Sequence, residues 1–309
     1  MVKVEGKEGI SATIIADSIN ESGDRMVTME LEYPRFILPE VNTHKMLSKN
    51  TASSRAIPVK SMHENILKNT AYPVYYGRNQ SGMVAGESLS ELGIESTRRL
   101  WDSARDIAIS HSRIMSDIGN HKQVANRIVE PFMMVKTVMS GTEWANLIWL
   151  RDRYDAQPEF QVLGSCISAA LKESVPKQLK PGQWHLPYVE SRFENDTQTF
   201  WSNGAEIDLV TARKISASCC AQVSYRKNDD SLEKANSVFE MLNIGKTDVP
   251  PHVSPVEHQA CAMWFNEPTL DTSLWPVGYS HIDRNGRYWS GNLRGWVQFR
   301  KMIPNEAKW

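Results

Sequence analysis

Residues 43–55 gather an imidazole (His44), an amide (Asn50), the hydroxyls of Ser48, Ser53 and Ser54, and the cations Lys45 and Arg55 into one short run. Short polar side chains can hydrogen-bond the edge of a heterocycle, and cations beside them can hold a phosphate. Arg55 is the most informative, because a planar guanidinium grips a phosphate through two parallel hydrogen bonds where a lysine offers a point charge. By composition alone the run reads equally as a solvated, Ser-rich turn. Two further arginines stand in apolar surroundings: Arg127 within Val124-Ala125-Asn126-Arg127-Ile128-Val129, and Arg151 at the end of Trp149-Leu150-Arg151. A buried arginine must find an anion or a carbonyl, so each is either half of a structural ion pair or a ligand contact. His252 and His258 have neither a cysteine nor a third histidine at ligand spacing, which argues against zinc.

The elements that must position these groups follow from periodicity. Residues 10–17 and 26–33 read as strands around a turn at 21–24, the second with clean alternation. A helix is expected from Phe36 to Leu47 with Pro39 in its first turn, carrying His44 and Lys45 on its C-terminal half. Further helices are expected at 61–69, at 86–118 with a break near Gly93, at 157–173 and at 208–221. A Pro, Gly and Lys-rich stretch divides the chain into residues 1–175, a connection at 176–205 and residues 206–309. The fold class expected is α+β, a mostly antiparallel sheet packed with long helices.

With 309 residues the chain has ample length for a core, and its 41% hydrophobic and 23% charged fractions are ordinary for a globular protein. A net charge of -1 provides no general attraction to nucleic acid or to a membrane surface. No apolar run approaches the roughly 20 residues that span a bilayer, and the first residues lack the apolar core of a signal peptide, so a cytoplasmic protein is expected. Cys166, Cys219, Cys220 and Cys261 show no CxxC spacing and read as reduced, buried thiols. Neither Gly-x-Gly-x-x-Gly nor a Walker loop is present.

The spacing of His44, Ser48, Asn50, Ser53 and Arg55 resembles the signature of flavin-dependent thymidylate synthases, Arg-His-Arg-x-x-Ser-x-Asn-Glu-x-Ser-x-Arg. Thr43, Lys45 and Thr51 depart from it, standing where that family has two arginines and a glutamate. Arg127 four residues before Pro131, Leu150-Arg151, and Ala156-Gln157-Pro158-Glu159-Phe160-Gln161 match three further family elements in order. In the C-terminal part, Ala221-Gln222-Val223-Ser224-Tyr225 and His252-Val253-Ser254-Pro255-Val256-Glu257-His258 resemble segments that precede the signature in ordinary family members. Residues 291–300, with Arg294 and Arg300, resemble the lead into the Arg-His-Arg, and Asn305-Glu306 falls where its Asn-Glu would. The order is that of a permutation, and the chain reads as two partial copies of one unit.

The resemblance implies a nucleotide half in which Ser48, Asn50, Ser53, Ser54, Arg55, Arg127 and Arg151 bind dUMP, with Arg151 polarising the pyrimidine as the catalytic group. It implies a flavin half in which His44, Lys45, Asn146, Ser224, His252, Ser254, Glu257, Arg294 and Arg300 hold FAD, with Arg294 and Arg300 replacing the missing signature cations. The activity implied is reductive methylation of dUMP to dTMP, with methylenetetrahydrofolate as carbon donor and NADPH as the reductant of FAD, in a homo-oligomer, tetramer or dimer. A methylase or hydroxymethylase of dUMP or dCMP, and a nucleotide-binding protein without catalysis, fit the same residues. The partners expected are small molecules, neither nucleic acid nor membrane.

Overall fold

Ser11–Asn20 (β2) and Arg25–Pro34 (β3) pair as an antiparallel hairpin in the computed structural model, which describes residues 2–223, 229–264 and 268–307. The turn between them is set locally. Gly23 takes a positive φ of 80°, and the Asp24 amide donates to the Asn20 side chain. Lys3–Glu5 (β1) pairs with β2, Met134–Gly141 (β5) with β3, and Ser48–Thr51 (β4) with β5, giving the order β1-β2-β3-β5-β4. Lys177–Leu179 (β6) adds in parallel to β2, so this sheet is antiparallel but for that one pairing.

Alternation gives the sheet two unlike faces. Val27, Met29, Leu31 and Tyr33 of β3, with Val135 and Met139 of β5, point to a core closed by Trp144–Arg151 (α5) and Pro158–Glu173 (α6) through Trp144, Leu147, Phe160, Leu163 and Ile167. Thr28, Ser140 and Ser48 stand in one cross-strand row on the opposite face. That face lies under a small sheet formed by Trp184–His185 (β7) of the connection with Ala260–Ala262 (β11) and Trp296–Gln298 (β15) of the C-terminal half. A continuous buried chain ties the layers together. Ser18 Oγ lies 2.9 Å from His185 Nδ1, His185 Nε2 2.9 Å from Thr28 Oγ1, Thr28 Oγ1 2.7 Å from Ser140 Oγ, and Ser140 Oγ 2.8 Å from His258 Nδ1. Burial holds both imidazoles neutral, pushing His185 down to about 4 and His258 to about 3.

Leu38–Val41 (α1) is a single turn, not the longer helix expected over 36–47. Thr43 Oγ1 donates back to the Glu40 carbonyl at 2.6 Å, and the chain then turns into β4, whose ladder with β5 supplies the backbone partners a continued helix would have used. Val59–Lys68 (α2) and the long Glu91–Asp117 (α3) pack with residues 126–132 around Met62, Ile66, Ile109, Val129 and Phe132. Gly93 causes no break, because Ser90 caps α3 by accepting from the Gly93 amide. Lys122–Ala125 (α4) leads into the 3-10 turns of 126–132.

The stretch 176–205 includes β6 and β7 as well as Glu190–Glu194 (β8) and Thr197–Ser202 (β9), which join Ala205–Ile207 (β10) in a separate sheet. Leu209–Ala221 (α7) starts at an Asp208 cap and packs on Leu232–Met241 (α8). His281–Ile282 (β12), Tyr288–Ser290 (β13) and Leu293–Arg294 (β14) complete the C-terminal half. Among the described residues no helix is long and apolar enough to cross a membrane.

Candidate functional site

The signature run lies along the edge strand β4, and its functional groups separate to the two ends of that strand. At the leading end, His44 is buried edge-on against Phe160 with ring centroids 5.4 Å apart, and accepts at Nε2 from Arg151 Nε at 3.0 Å. Its acceptor role places the proton of the neutral ring on Nδ1. Burial, with the positive charges of Arg151 and Lys49 adding to it, pushes His44 down to about 4. The Arg151 guanidinium lies 4.7 Å from the Phe160 ring centroid, and its Nη1 is 3.9 Å from Glu40.

On the side of β4 facing the C-terminal half is an open hollow of about 530 Å³. Lys45, Ser48 and Lys49 line it from the signature run, and Glu257, Asn292, Gln298, Arg300 and Lys301 from the C-terminal segment. Ser48 Oγ is 3.0 Å from Asn292 Nδ2, and Gln298 Nε2 donates to Asn292 Oδ1 at 2.9 Å and to the Glu257 carbonyl at 3.1 Å. Arg300 is matched by Glu257 at 2.6 Å and by Glu306 at 2.7 Å. Nearby, Asn50 Oδ1 accepts from Ser254 Oγ at 3.3 Å while its Nδ2 donates to the Cys220 carbonyl at 2.5 Å. The fold therefore juxtaposes two segments that are some 200 positions apart in the chain, Asn50 and Ser254 being 204 residues apart. Asn50 itself is engaged as an internal tie.

At the trailing end of β4, Ser54 is buried and donates to Glu130 at 2.5 Å; the same carboxylate meets Arg127 at 2.8 Å and Arg35 at 3.2 Å. Burial works to raise the Glu130 pKa, but the bonds from Ser54, Arg35 and Arg127 outweigh it and keep the group ionised. Arg127 is not the buried cation its apolar neighbours suggested: half its side chain is exposed, and Glu130 one helical turn away is its partner. Arg55 is exposed beside it, with no carboxylate partner among the described residues, and Ser53 is half-buried. Arg55 and Arg127 thus share one end of the strand while Arg151 belongs to the other, across a span of about 13 Å for four residues.

The remaining expected contacts disperse. Asn146 is exposed on α5 and, five residues from Arg151, projects roughly 140° around the helix from it. His252 is exposed, with its amide donating to the Leu242 carbonyl at 2.8 Å. Ser224 lies outside the described residues. Arg294 does not stand in for a signature arginine at the hollow: it bonds Asp24 at 2.9 Å and approaches Glu143 at 3.2 Å, and with Arg287 and the Trp296 indole it docks the C-terminal half onto the β2–β3 turn. Asp24 is 3% exposed, which makes this a structural clamp.

Lys49, Asn292, Gln298 and Lys301 line the hollow but were not singled out from sequence. Lys49 occupies a variable position of the signature, and its alternation on β4 would have assigned it to the other face. Its flexible stem reaches round the strand edge, so that Nζ donates to the carbonyls of His44 and, at 2.8 Å, of Leu47.

No protein-family model and no curated protein matches the chain. Two solved structures of a UMP/dUMP methylase, PolB from Streptomyces cacaoi, are similar over about half of it. The one bound with 5-Br UMP is 14% identical with a TM-score of 0.45, covering 53% of this chain and 89% of that chain. The one bound with 5-Br dUMP is 14% identical with a TM-score of 0.42, covering 55% of this chain and 93% of that chain.

Proposed function

We propose that the protein is a flavin-dependent thymidylate synthase that methylates dUMP at C5, using methylenetetrahydrofolate as carbon donor and NADPH as reductant. The observation that supports this reading most is the hollow in which Lys45 and Ser48 of the signature run meet Glu257, Asn292 and Arg300 of the C-terminal partial copy. Sequence order separates these groups, and the fold reunites them on one cationic surface.

The hollow's lining is polar apart from Leu47 and Gly291 and includes no aromatic side chain, so its donor set fits the phosphate portion of FAD. Lys45, Asn292 and Arg300 would hold that portion, joined by Ser48, which is bonded to Asn292 here and so departs from the dUMP role the resemblance implied for it. When bound and reduced, the flavin supplies the hydride that no side chain can deliver. The chain's own task is positioning and charge. Arg55 and Arg127, with Ser53, would grip the nucleotide phosphate. Arg151, fixed through Nε by His44 and through its planar face by Phe160, has only a long 3.9 Å approach to Glu40 at Nη1, which negative charge developing on a pyrimidine would displace. His44 must stay neutral to accept that bond.

Because Arg151 is separated from Arg55 and Arg127 along β4, the reading requires a second copy of the chain to complete each nucleotide site. A row of exposed apolar residues, Leu92, Leu100, Ile107 and Ile114 on α3 and Ile118 at its C-cap, supports self-association. The experiment is to purify the protein, record its flavin absorbance, and incubate it with dUMP or dCMP, methylenetetrahydrofolate and NADPH, then identify the product by mass. Gain of a methyl group on dUMP supports the reading. Methylated dCMP or a hydroxymethyl product reassigns the substrate or the reduction step, and a colourless protein that cannot be loaded with FAD removes the flavin chemistry.

A further inference from the structure

The cations around the hollow are of two kinds. Arg300 and Lys301 are matched by Glu257 and Glu306, with Lys301 Nζ 2.6 Å from Glu306. Lys45 and Lys49 have no carboxylate within ion-pair distance among the described residues. Lys49 is held by backbone alone, through the carbonyls of His44 and Leu47. Carbonyl dipoles orient an ammonium without cancelling its charge. Two balanced cations and two unbalanced ones leave the hollow with an excess that suits a dianion.

We propose that Lys49 is an anchor for the diphosphate of a dinucleotide in this hollow, the ligand providing the counter-charge that the fold withholds. This rests on reading the hollow as the phosphate site above. The groups facing Lys49 are Lys45 on its own segment and Glu257, Arg300 and Lys301 from the C-terminal segment, with Glu306 behind the last two and neutral His44 and Arg151 beyond the carbonyls. Burial, and next the charge of Lys45, push the Lys49 ammonium down to about 8, with Glu257 acting weakly in the other direction. A bound diphosphate stabilises the ammonium and raises its pKa. Below about pH 8 the proton is already present and binding takes up none. Above about pH 8 binding draws a proton from solvent, and affinity falls by up to about tenfold per pH unit until the bound-state pKa is reached.

The test is calorimetric titration of the full chain with ADP-ribose, whose diphosphate diester stays doubly ionised across this range, at about pH 7 and about pH 9 in buffers of different ionisation heat. The expected result is binding at both, with proton uptake only at the higher pH and roughly tenfold weaker affinity there. Lys49→Arg, which remains charged throughout, should bind with neither uptake nor pH dependence. Lys49→Gln should bind more weakly at the lower pH. Binding by the wild type without uptake at the higher pH, or uptake that persists in Lys49→Arg, overturns the role of Lys49 and leaves the hollow an anion site. Failure of the folded wild type to bind ADP-ribose at either pH overturns the reading of the hollow and this role together.

Discussion

The two faces of the central sheet are built on opposite principles. On the helix-covered face, Val27, Met29, Leu31 and Tyr33 meet Leu147, Phe160 and Leu163, and any apolar side chain of suitable volume would serve. On the face under the C-terminal half, Ser18, Thr28, Ser140, His185 and His258 are joined in one hydrogen-bonded chain, which ends at His258 Nδ1. Burial is non-directional and tolerates small shifts, whereas a hydrogen-bonded chain specifies one register between layers. The polar face is also the one from which Ser48 and Asn50 reach the C-terminal segment, so the precision needed at the hollow is supplied by the face that contributes less apolar burial.

The contrast can be broken most severely at Phe160. Phe160→Ala should cost about 3–5 kcal/mol in urea unfolding, since it empties a fully buried ring site and removes the surface on which Arg151 rests. A loss below about 1 kcal/mol would mean that the helix face is not the main source of stability. On the polar face, Ser140→Ala should cost about 1–3 kcal/mol by leaving His258 Nδ1 and Thr28 without their shared partner. Ser140→Cys, with a weaker donor of similar shape, should fall between the two.

Acid distinguishes the faces without mutation. The folded-state pKa values of His185 and His258, about 4 and about 3, lie below the ordinary histidine value of 6.5. The stability tied to these neutral rings is therefore complete above about pH 6.5 and is lost as pH falls from there towards 4, by up to about 1.4 kcal/mol per unit for each ring. In His185→Gln the slope of stability against pH over that window should be shallower by up to one proton's worth, and an unchanged slope would count against the buried chain. The smallest stability effect is expected at Arg127: Arg127→Ala should change unfolding by less than about 0.5 kcal/mol, because its pair with Glu130 is half exposed, while weakening dUMP binding. Equal dUMP affinity in that variant would remove Arg127 from the nucleotide site.

The same contrast explains what could be read in advance. Alternation over residues 10–17 and 26–33, and the helical period of 157–173, made the apolar face legible, because the pattern of burial is written locally in side-chain type. Over residues 36–47 the apolar residues favoured a helix, yet the helix stops at Val41 and turns lead the chain into β4, whose pairing with β5 is a tertiary effect that no local period records. The hollow gathers Lys45, Glu257 and Arg300, three of the residues expected to contact flavin, together with Ser48, which the resemblance assigned to dUMP. Arg294 was misassigned because a cation matched to a motif looks the same in sequence whether it faces a ligand or a buried aspartate such as Asp24. Lys49 escaped notice for the reverse reason: it matches no motif, and only the carbonyls that bend it round the strand edge bring it to the hollow.

On the proposed function, the signature run and the C-terminal segment build one flavin-binding surface. Fluorescence titration of FAD against the wild type, Lys45→Glu and Arg300→Glu tests it most directly, with Arg127→Ala as a control outside the hollow. FAD binding at least about tenfold weaker is expected in each charge reversal, with wild-type binding in the control. FAD affinity that is unchanged by both reversals would contradict it.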